Sequence, residues 1–461
     1  MKKYCPATLI AGLLAVITGC DPRFARLSGG WSDADLKAGT NAVQTAEIPA
    51  GLQGLVVDNH FGNVHITGTD HEATGWTWKL TVRARTDLVA QQIAGATRCQ
   101  VEQNGDQLKL VVLPPDSKEP HSLESNFEIR VPKAAAVRVQ NHFGGIKIAD
   151  LGGDAEVTDQ NGAVEIHDVG GRVQARTSFA ALTVSNTGTA TLTDQNGVIR
   201  ATGIGGPLTA TTCFDSLEAK DVAGPATLND QNGAINATRI HGRLDARTSF
   251  DALVVKEIGA AATLHNQNGR IEAVGIGGAL DAGTSFDALT AQDVDGPAHL
   301  HNQNGGVRLS RVKGDAEAET SFDGLSAEDV RGNAILKNQN GGVTASGVTG
   351  SVRAGTSFAE IKVTGAGSQF VCHNQNGAIR LHVTSTTLTN LEATTSFEAL
   401  EIHLPAGLQP AIRAHTTFGE VESDFPVLAN PTGGEPFAGV APSAARVRLE
   451  NQNGGIRVVR D

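Results

Sequence analysis

The chain has 461 residues and a formal charge of −12, with 49 acidic against 37 basic side chains. That balance argues against nucleic acid or an anionic lipid surface as its partner. Beyond Cys5 and Cys20 it has three cysteines, Cys99, Cys213 and Cys372. An odd number without CxxC spacing makes neither a complete disulfide framework nor a metal knuckle, so they read as structural thiols.

The first element is a secretory signal over 1–19. Lys2-Lys3 leads into an apolar run over 7–17 and then Ile17-Thr18-Gly19-Cys20. The run is too short to span a membrane. The Cys at the cut resembles the lipobox of bacterial lipoproteins. The resemblance implies cleavage before Cys20 and acylation of its thiol and new amine, and more than one acyl chain gives a stable anchor. Losing Lys2 and Lys3 would take the charge from −12 to −14. It would also remove Met1 and Tyr4, the only Met and Tyr.

Residues 20–44 read as a polar, lipidated tether, with Gly29-Gly30 and Ser32. Residues 45–136 read as a β-rich N-terminal cap that contains a first repeat. Its Asn59-His-Phe-Gly matches Asn141-His-Phe-Gly, and its segments 76–82, 107–112 and 127–131 alternate with period two, the mark of half-buried strands. One short helix is expected over 87–94. Trp31, Trp76 and Trp78 all lie ahead of the repeats.

From 137 to 424 one motif returns about every eighteen residues in two alternating versions. Gln-Asn-Gly has its Asn at Asn161, Asn196, Asn232, Asn268, Asn304, Asn340 and Asn376, and again at Asn453. Thr-Ser-Phe, or a near variant, has its Phe at Phe143, Phe179, Phe214, Phe250, Phe286, Phe322, Phe358, Phe397 and Phe418. With that Asn or Phe as position zero, an aliphatic stands three residues later in every copy, as at Leu182, Ile271, Leu289 and Val307. Apolar columns also lie at plus five (Ala219, Ala291) and plus eight (Val222, Ile276, Val294). Phe copies are preceded by large-x-small, as in Leu280-x-Ala282, and Asn copies by small-x-large, as in Ala298-x-Leu300. Stacked copies would therefore interdigitate at core density.

A repeat this short cannot bury its apolar face alone and must stack. Eighteen residues suit a turn of three short faces. The expected fold is all-β, a single-stranded parallel β-helix with a right-handed winding preferred and turns about 4.8 Å apart. A propeller blade needs about 40 residues, and the equivalence of columns at eighteen argues against one. Both the Asn and the Phe are expected to point inward or into a corner, the Asn side chains forming a hydrogen-bonded ladder. Residues 425–461 read as a loop followed by a rung that caps the stack, since open solenoid ends need covering.

Two sets of side chains are candidates for ligand contact: Asp215, Asp251, Asp287 and Asp323, and His265, His301 and His373. A second acidic series is Asp221, Glu257, Asp293 and Asp329. Members of a set fall two turns apart, about 10 Å, so each set reads first as a solvated column. No single catalytic cluster is expected, and no metal site or cofactor. The Asn-Gln-Asn-Gly runs lack the carboxylates and terminal Glu of a calcium loop. The recurring Ser of Thr-Ser-Phe suits a turn better than a nucleophile.

The motifs Asn59-His-Phe-Gly-Asn-Val, Val139-Gln-Asn-His-Phe-Gly-Gly-Ile and Asn451-Gln-Asn-Gly-Gly-Ile resemble those of the bacterial "putative adhesin" family of envelope β-repeat proteins, close to the head-GIN domains. The pattern covers nearly the whole mature chain. It implies a β-solenoid at the cell envelope and carries no catalytic residues.

The expected function is non-enzymatic: a lipid-anchored adhesin-like protein or envelope scaffold, held by the membrane on the periplasmic side or the cell surface. It would bind glycans or envelope and surface proteins through identical shallow sites whose weak contacts add up. The alternative is a polysaccharide-binding or polysaccharide-cleaving β-helix. Against it stand the uniformity of the repeats and their lack of Tyr and Trp platforms.

Overall fold

The computed structural model describes residues 36–70, 73–428, 437 and 444–461. The signal segment, Cys20 and most of the loop after 425 lie outside the described residues. The chain forms two compact units. One takes in residues to 224 together with 228–231, and the other takes in 225–227 and 232–461.

The first unit begins with the expected β-rich region. Its elements are β1 (Ala38–Glu47), β2 (Gly54–Asp58), β3 (Val64–Thr69), β4 (Gly75–Ala84), α1 (Asp87–Ala96), β5 (Arg98–Asn104), β6 (Gln107–Leu113), β7 (His121–Pro132), β8 (Ala136–Gln140) and β9 (Ile146–Leu151). β1 takes in the last residues of the stretch read as a tether. β4 lies antiparallel between β1 and β7, and β5–β6 is an antiparallel hairpin. Trp76 and Trp78 are buried within β4, and the Trp78 indole donates to Ser125 Oγ at 2.6 Å. The helix is the one expected. Thr86 caps its N-terminus by accepting from the Val89 N–H, and it buries Ala90 and Ile93. β2 pairs in parallel with β8, and β3 with β9. The Asn59 turn therefore stacks on the Asn141 turn, with Phe61 and Phe143 face to face at 5.5 Å.

Beyond β9 both units are parallel β-solenoids in which each turn holds two strands. In the first, Val164, Leu182, Ile199 and Leu217 stand over one another. Gly170-Gly171 absorbs one extra residue where the register shifts against the following turn. In the second, one column runs Ile235, Leu253, Ile271, Leu289, Val307, Leu325, Val343, Ile361, Ile379 and Leu400.

The inward residues are those the columns name. On the turn of Phe286, the strands Leu280–Thr284 and Leu289–Val294 bury Leu280, Ala282, Leu289, Ala291 and Val294. The step from plus five to plus eight skips two residues because the residue at plus seven is left-handed. Asp221, Glu257, Asp293 and Asp329 all have φ between 54 and 58°, as do Arg239 and Arg311, while Gly203, Gly275 and Gly347 fill the column elsewhere. One left-handed residue turns the strand, so the next apolar side chain again faces the core.

Two expectations are corrected. The chain's last turn does not cap the stack. Its strand Arg446–Asn451 pairs in parallel with Asn390–Thr394 on one side and Ala411–Thr416 on the other. The physical reason is alternation. Phe397 and Phe418 are successive Phe turns, and the Asn453 turn inserted between them restores large-small alternation in one column, with Leu449 between Ala393 and Ala414. Nor do the Phe rings point inward. From Phe179 to Phe397 they are 57–64% exposed, and Phe418 is 80% exposed.

Candidate functional site

The turn that displays each Phe is fixed by the residue two places earlier, which is buried and polar: Thr177 and Thr212 in the first unit, Thr248, Thr284, Thr320 and Thr356 in the second. Asn turns bury Asp159 and Asp194 there in the first unit, and Asn266, Asn302, Asn338, Asn374 and Asn451 in the second. The Thr and Asn side chains tie each turn to the one before, whereas Asp159 and Asp194 accept from N–H groups of their own turn. Thr284 Oγ1 donates to the Gly269 carbonyl at 2.8 Å, and Asn302 Nδ2 donates to the Asp287 carbonyl at 2.7 Å. Asn302 Oδ1 also accepts from the Gly305 N–H at 3.1 Å. The polar residue thus satisfies backbone groups that the corner leaves without a ladder partner. Two residues further round the bend, position zero is carried away from the core.

At position zero the two residue types behave differently. The Asn folds back: Asn268, Asn304 and Asn340 donate from Nδ2 to the carbonyls of Ser249, Ser285 and Ser321 at 2.8 Å. The ladder exists, but it runs from Asn to main chain and not from Asn to Asn. The Phe has nothing to donate and stands out into solvent.

Asp215, Asp251, Asp287 and Asp323 follow their Phe directly and are exposed. Each turns one carboxylate oxygen onto the next N–H, at 2.7–2.8 Å. They are local turn residues with a second oxygen free for solvent. His265, His301 and His373 lie on the other side of position zero, three residues before an Asn, and are exposed as well. In the second unit the Asp column and the His column therefore flank the Phe column and do not meet. The second acidic series is the left-handed column. There Asp293 takes a two-pronged ion pair from Arg311, at 2.5 and 2.9 Å, which pushes its carboxyl down to about 2.

Column reading missed two features. An open depression of ≈ 520 Å³ in the second unit is lined by Phe286, Asp287, Gly306, Arg308, Asp323 and Gly324. It forms where Gly306, Gly324 and Gly342 fall on three successive turns, so small residues recurring at eighteen were its sequence signal. The second feature is a charged cluster at the C-terminus. Asp461 receives His403 Nδ1 at 2.9 Å and His382 Nε2 at 3.0 Å, and Arg380 pairs with Glu360 and Glu401. The hydrogen bond to Asp461 raises the His403 pKa, and the same bond lowers that of Asp461. Its members lie on separate segments, which hid it.

Burial pushes the Cys372 thiol up to about 12 and the Cys99 thiol to about 11, so neither is a thiolate nucleophile at neutral pH. Among the described residues no group of three or more His, Cys, Asp or Glu is placed to hold a metal ion.

No family model and no curated protein matches the chain. Solved structures similar to the chain include the following three. A "putative cell adhesion protein" of Clostridium sporogenes is 9% identical and has a TM-score of 0.16, over 92% of this chain and 100% of that one. A "putative adhesin" of Bacteroides fragilis is 11% identical with a TM-score of 0.18, over 73% and 97% of the two chains. A "putative lipid binding protein" of Parabacteroides distasonis is 13% identical with a TM-score of 0.16, over 71% and 96%. At TM-scores this low, none of the three carries an argument about what the chain does.

Proposed function

We propose that this chain is a non-catalytic, adhesin-like binder or scaffold of the bacterial cell envelope, anchored by lipid on Cys20 and acting through a repeated surface. One observation carries the reading. An exposed Phe ring with an Asp directly after it, and a column bearing His or Lys on its other side, returns two turns apart at Phe250, Phe286 and Phe322 of the second unit. Identical shallow contacts on a stiff support give avidity and not turnover. The lipobox-like Ile17-Thr18-Gly19-Cys20 supports the anchor.

The test is protease and antibody access to the repeats on intact and lysed cells, with Cys20→Ser beside the parent. The expected result is labelling of intact cells, and release of the variant from the membrane fraction. Protection until lysis would confine the protein to the periplasm and leave only the scaffold reading. A Cys20→Ser protein that still sediments with membranes would remove the anchor.

Asp287 and Asp323 line one depression, and this favours a second reading, a polysaccharide-cleaving site. Their two-turn separation, about 10 Å, lies near the spacing of an inverting carboxylate pair. Shortening of a polysaccharide by the parent but not by Asp287→Asn would establish it.

A further inference from the structure

The second unit builds a face of alternating rings and gaps. Phe250, Phe286, Phe322 and Phe358 are 61–62% exposed. They recur every two turns, about 10 Å. The Asn turns between them hold their side chains back on Ser carbonyls, and their glycines cannot be enlarged. A Cβ on Gly269, Gly305 or Gly341 would come within 2.2–2.4 Å of the carbonyl oxygen of Asp251, Asp287 or Asp323. Each Asn turn therefore packs tightly on the Phe turn before it, and its Asn side chain is folded back from the ring column.

The flanks restrict what can lie on this face. Directly after the rings come the carboxylates of Asp251, Asp287 and Asp323, and at Phe286 the floor opens into the depression with Arg308 on its wall. On the far side stands a column of mixed charge, with Arg247, His265, His301, Glu319, Lys337 and His373. A second copy of the chain fits poorly. In a closed two-fold pair, antiparallel copies would set Asp column against Asp column. Parallel copies would set ring against ring and leave every gap empty. An anionic polymer would meet the carboxylates that follow Phe250, Phe286 and Phe322. A neutral sugar chain fits. A pyranose lays an apolar C–H face on an aromatic ring and turns hydroxyls outward to carboxylate, imidazole and ammonium groups. An extended β-linked chain repeats by the disaccharide, a length close to two turns.

We propose that the Phe column from Phe250 to Phe358 binds an extended neutral polysaccharide, one disaccharide for every two turns. This rests on the reading of the chain as a repeat-surface binder and names its site and ligand class.

The test is co-sedimentation of the purified full chain with insoluble cellulose and chitin, together with titration by cello- and chito-oligosaccharides of increasing length. Affinity should rise with each added disaccharide. Phe286→Ala should weaken it about two- to tenfold, the loss of one aromatic contact. Phe286→Ala with Phe322→Ala should weaken it more than either alone, and Phe286→Tyr should keep it. All these rings are exposed, so the melting temperature should not move. The proposal fails if none of these glycans binds, or if the double variant binds like the parent. It also fails if the parent sediments as a dimer that the double variant dissolves. If the double variant still reaches and labels the cell surface as the parent does, the repeat-surface function survives and only this site is lost.

Discussion

The two units have the same buried apolar columns and differ at one buried corner. In the second, Asn266, Asn302, Asn338, Asn374 and Asn451 close the Asn turns, and each amide donates to a carbonyl of the neighbouring turn at 2.6–2.7 Å. In the first, Asp159 and Asp194 occupy the same position. One oxygen of each accepts local N–H groups, while Oδ2 is buried with no hydrogen-bond partner among the described residues. The two side chains have nearly the same shape, so packing does not distinguish them. A proton does. A carboxylate has no hydrogen to give where the amide gives one, and burial raises the pKa of both Asp groups, that of Asp159 to about 6. The lesson is that the repeat specifies corner shape strictly and corner charge loosely.

The largest effect should come from what the units share. Leu289→Asp places a carboxylate in the plus-three column, where Leu289 is fully buried, and should cost about 4 kcal/mol or more. Leu217→Asp should cost as much, because that column is the same in the first unit. Thermal melting with hydrogen exchange checks both. If either variant melts like the parent, the common core is wrong.

The corners come next, and here the units should part. Asp159 titrates near 6 when folded and near 3.8 otherwise. The folded state thus holds its proton more tightly, and stability falls as pH rises from about 4 through 6. Asp159→Asn supplies the missing donor and cannot ionise. It should stabilise the protein by about 1–2 kcal/mol at pH 8, after allowance for partial solvent screening, with the gain gone by pH 4. The reverse change in the second unit, Asn302→Asp, should cost a similar amount at pH 8 and little at pH 4. Denaturant unfolding at the two pH values tests the pair. A gain from Asp159→Asn that did not change with pH would show that the carboxyl is not the difference between the units.

Much of this was legible in the sequence, because an eighteen-residue period lets every column be read down the chain. The columns at plus three, five and eight are buried apart from Val421 on the Phe418 turn, and a helix forms at Asp87–Ala96. The Phe was misread because a recurring aromatic looks like core. What settles its direction is a hydrogen bond from Thr284 or its equivalents, and the short polar residue at minus two was a signal passed over. Left-handed Asp293 was seen only as an acid, since its role is a backbone angle that an Asp tolerates and does not announce. The inserted last turn could have been inferred from Phe397 and Phe418 following one another without an Asn turn between. The Asp461 cluster could not, because separate segments bring it together.

A smaller effect separates the corner types within one unit. Thr284→Val keeps the shape and removes the bond to the Gly269 carbonyl, leaving a buried acceptor short of a partner. It should cost about 1–2 kcal/mol at every pH, in contrast to the Asp corners. Pronounced pH dependence in this variant would mean that the titration assigned to Asp159 arises elsewhere.

The smallest effect concerns the left-handed column, where the units again use different chemistry in one place. In the first, Asn186 Nδ2 donates to Asp168 Oδ1 at 3.0 Å, and in the second Arg311 pairs with Asp293. Both contacts are exposed, and exposed pairs contribute about 0–1 kcal/mol. Arg311→Ala should therefore have only a small effect on stability, and that effect should shrink in high salt because the pair is ionic. Asn186→Ala should respond less to salt, since its donor is a neutral amide. Arg311 also holds φ at 54°, which Ala keeps and Gly relieves. Arg311→Gly should then be more stable than Arg311→Ala by about 0.5–1 kcal/mol, although both lose the ion pair. If the two variants melt alike at high salt, the turn carries no strain and the ion pair alone explains the arginine. If Gly is the more stable there, the column was filled for its charge and tolerated in its geometry.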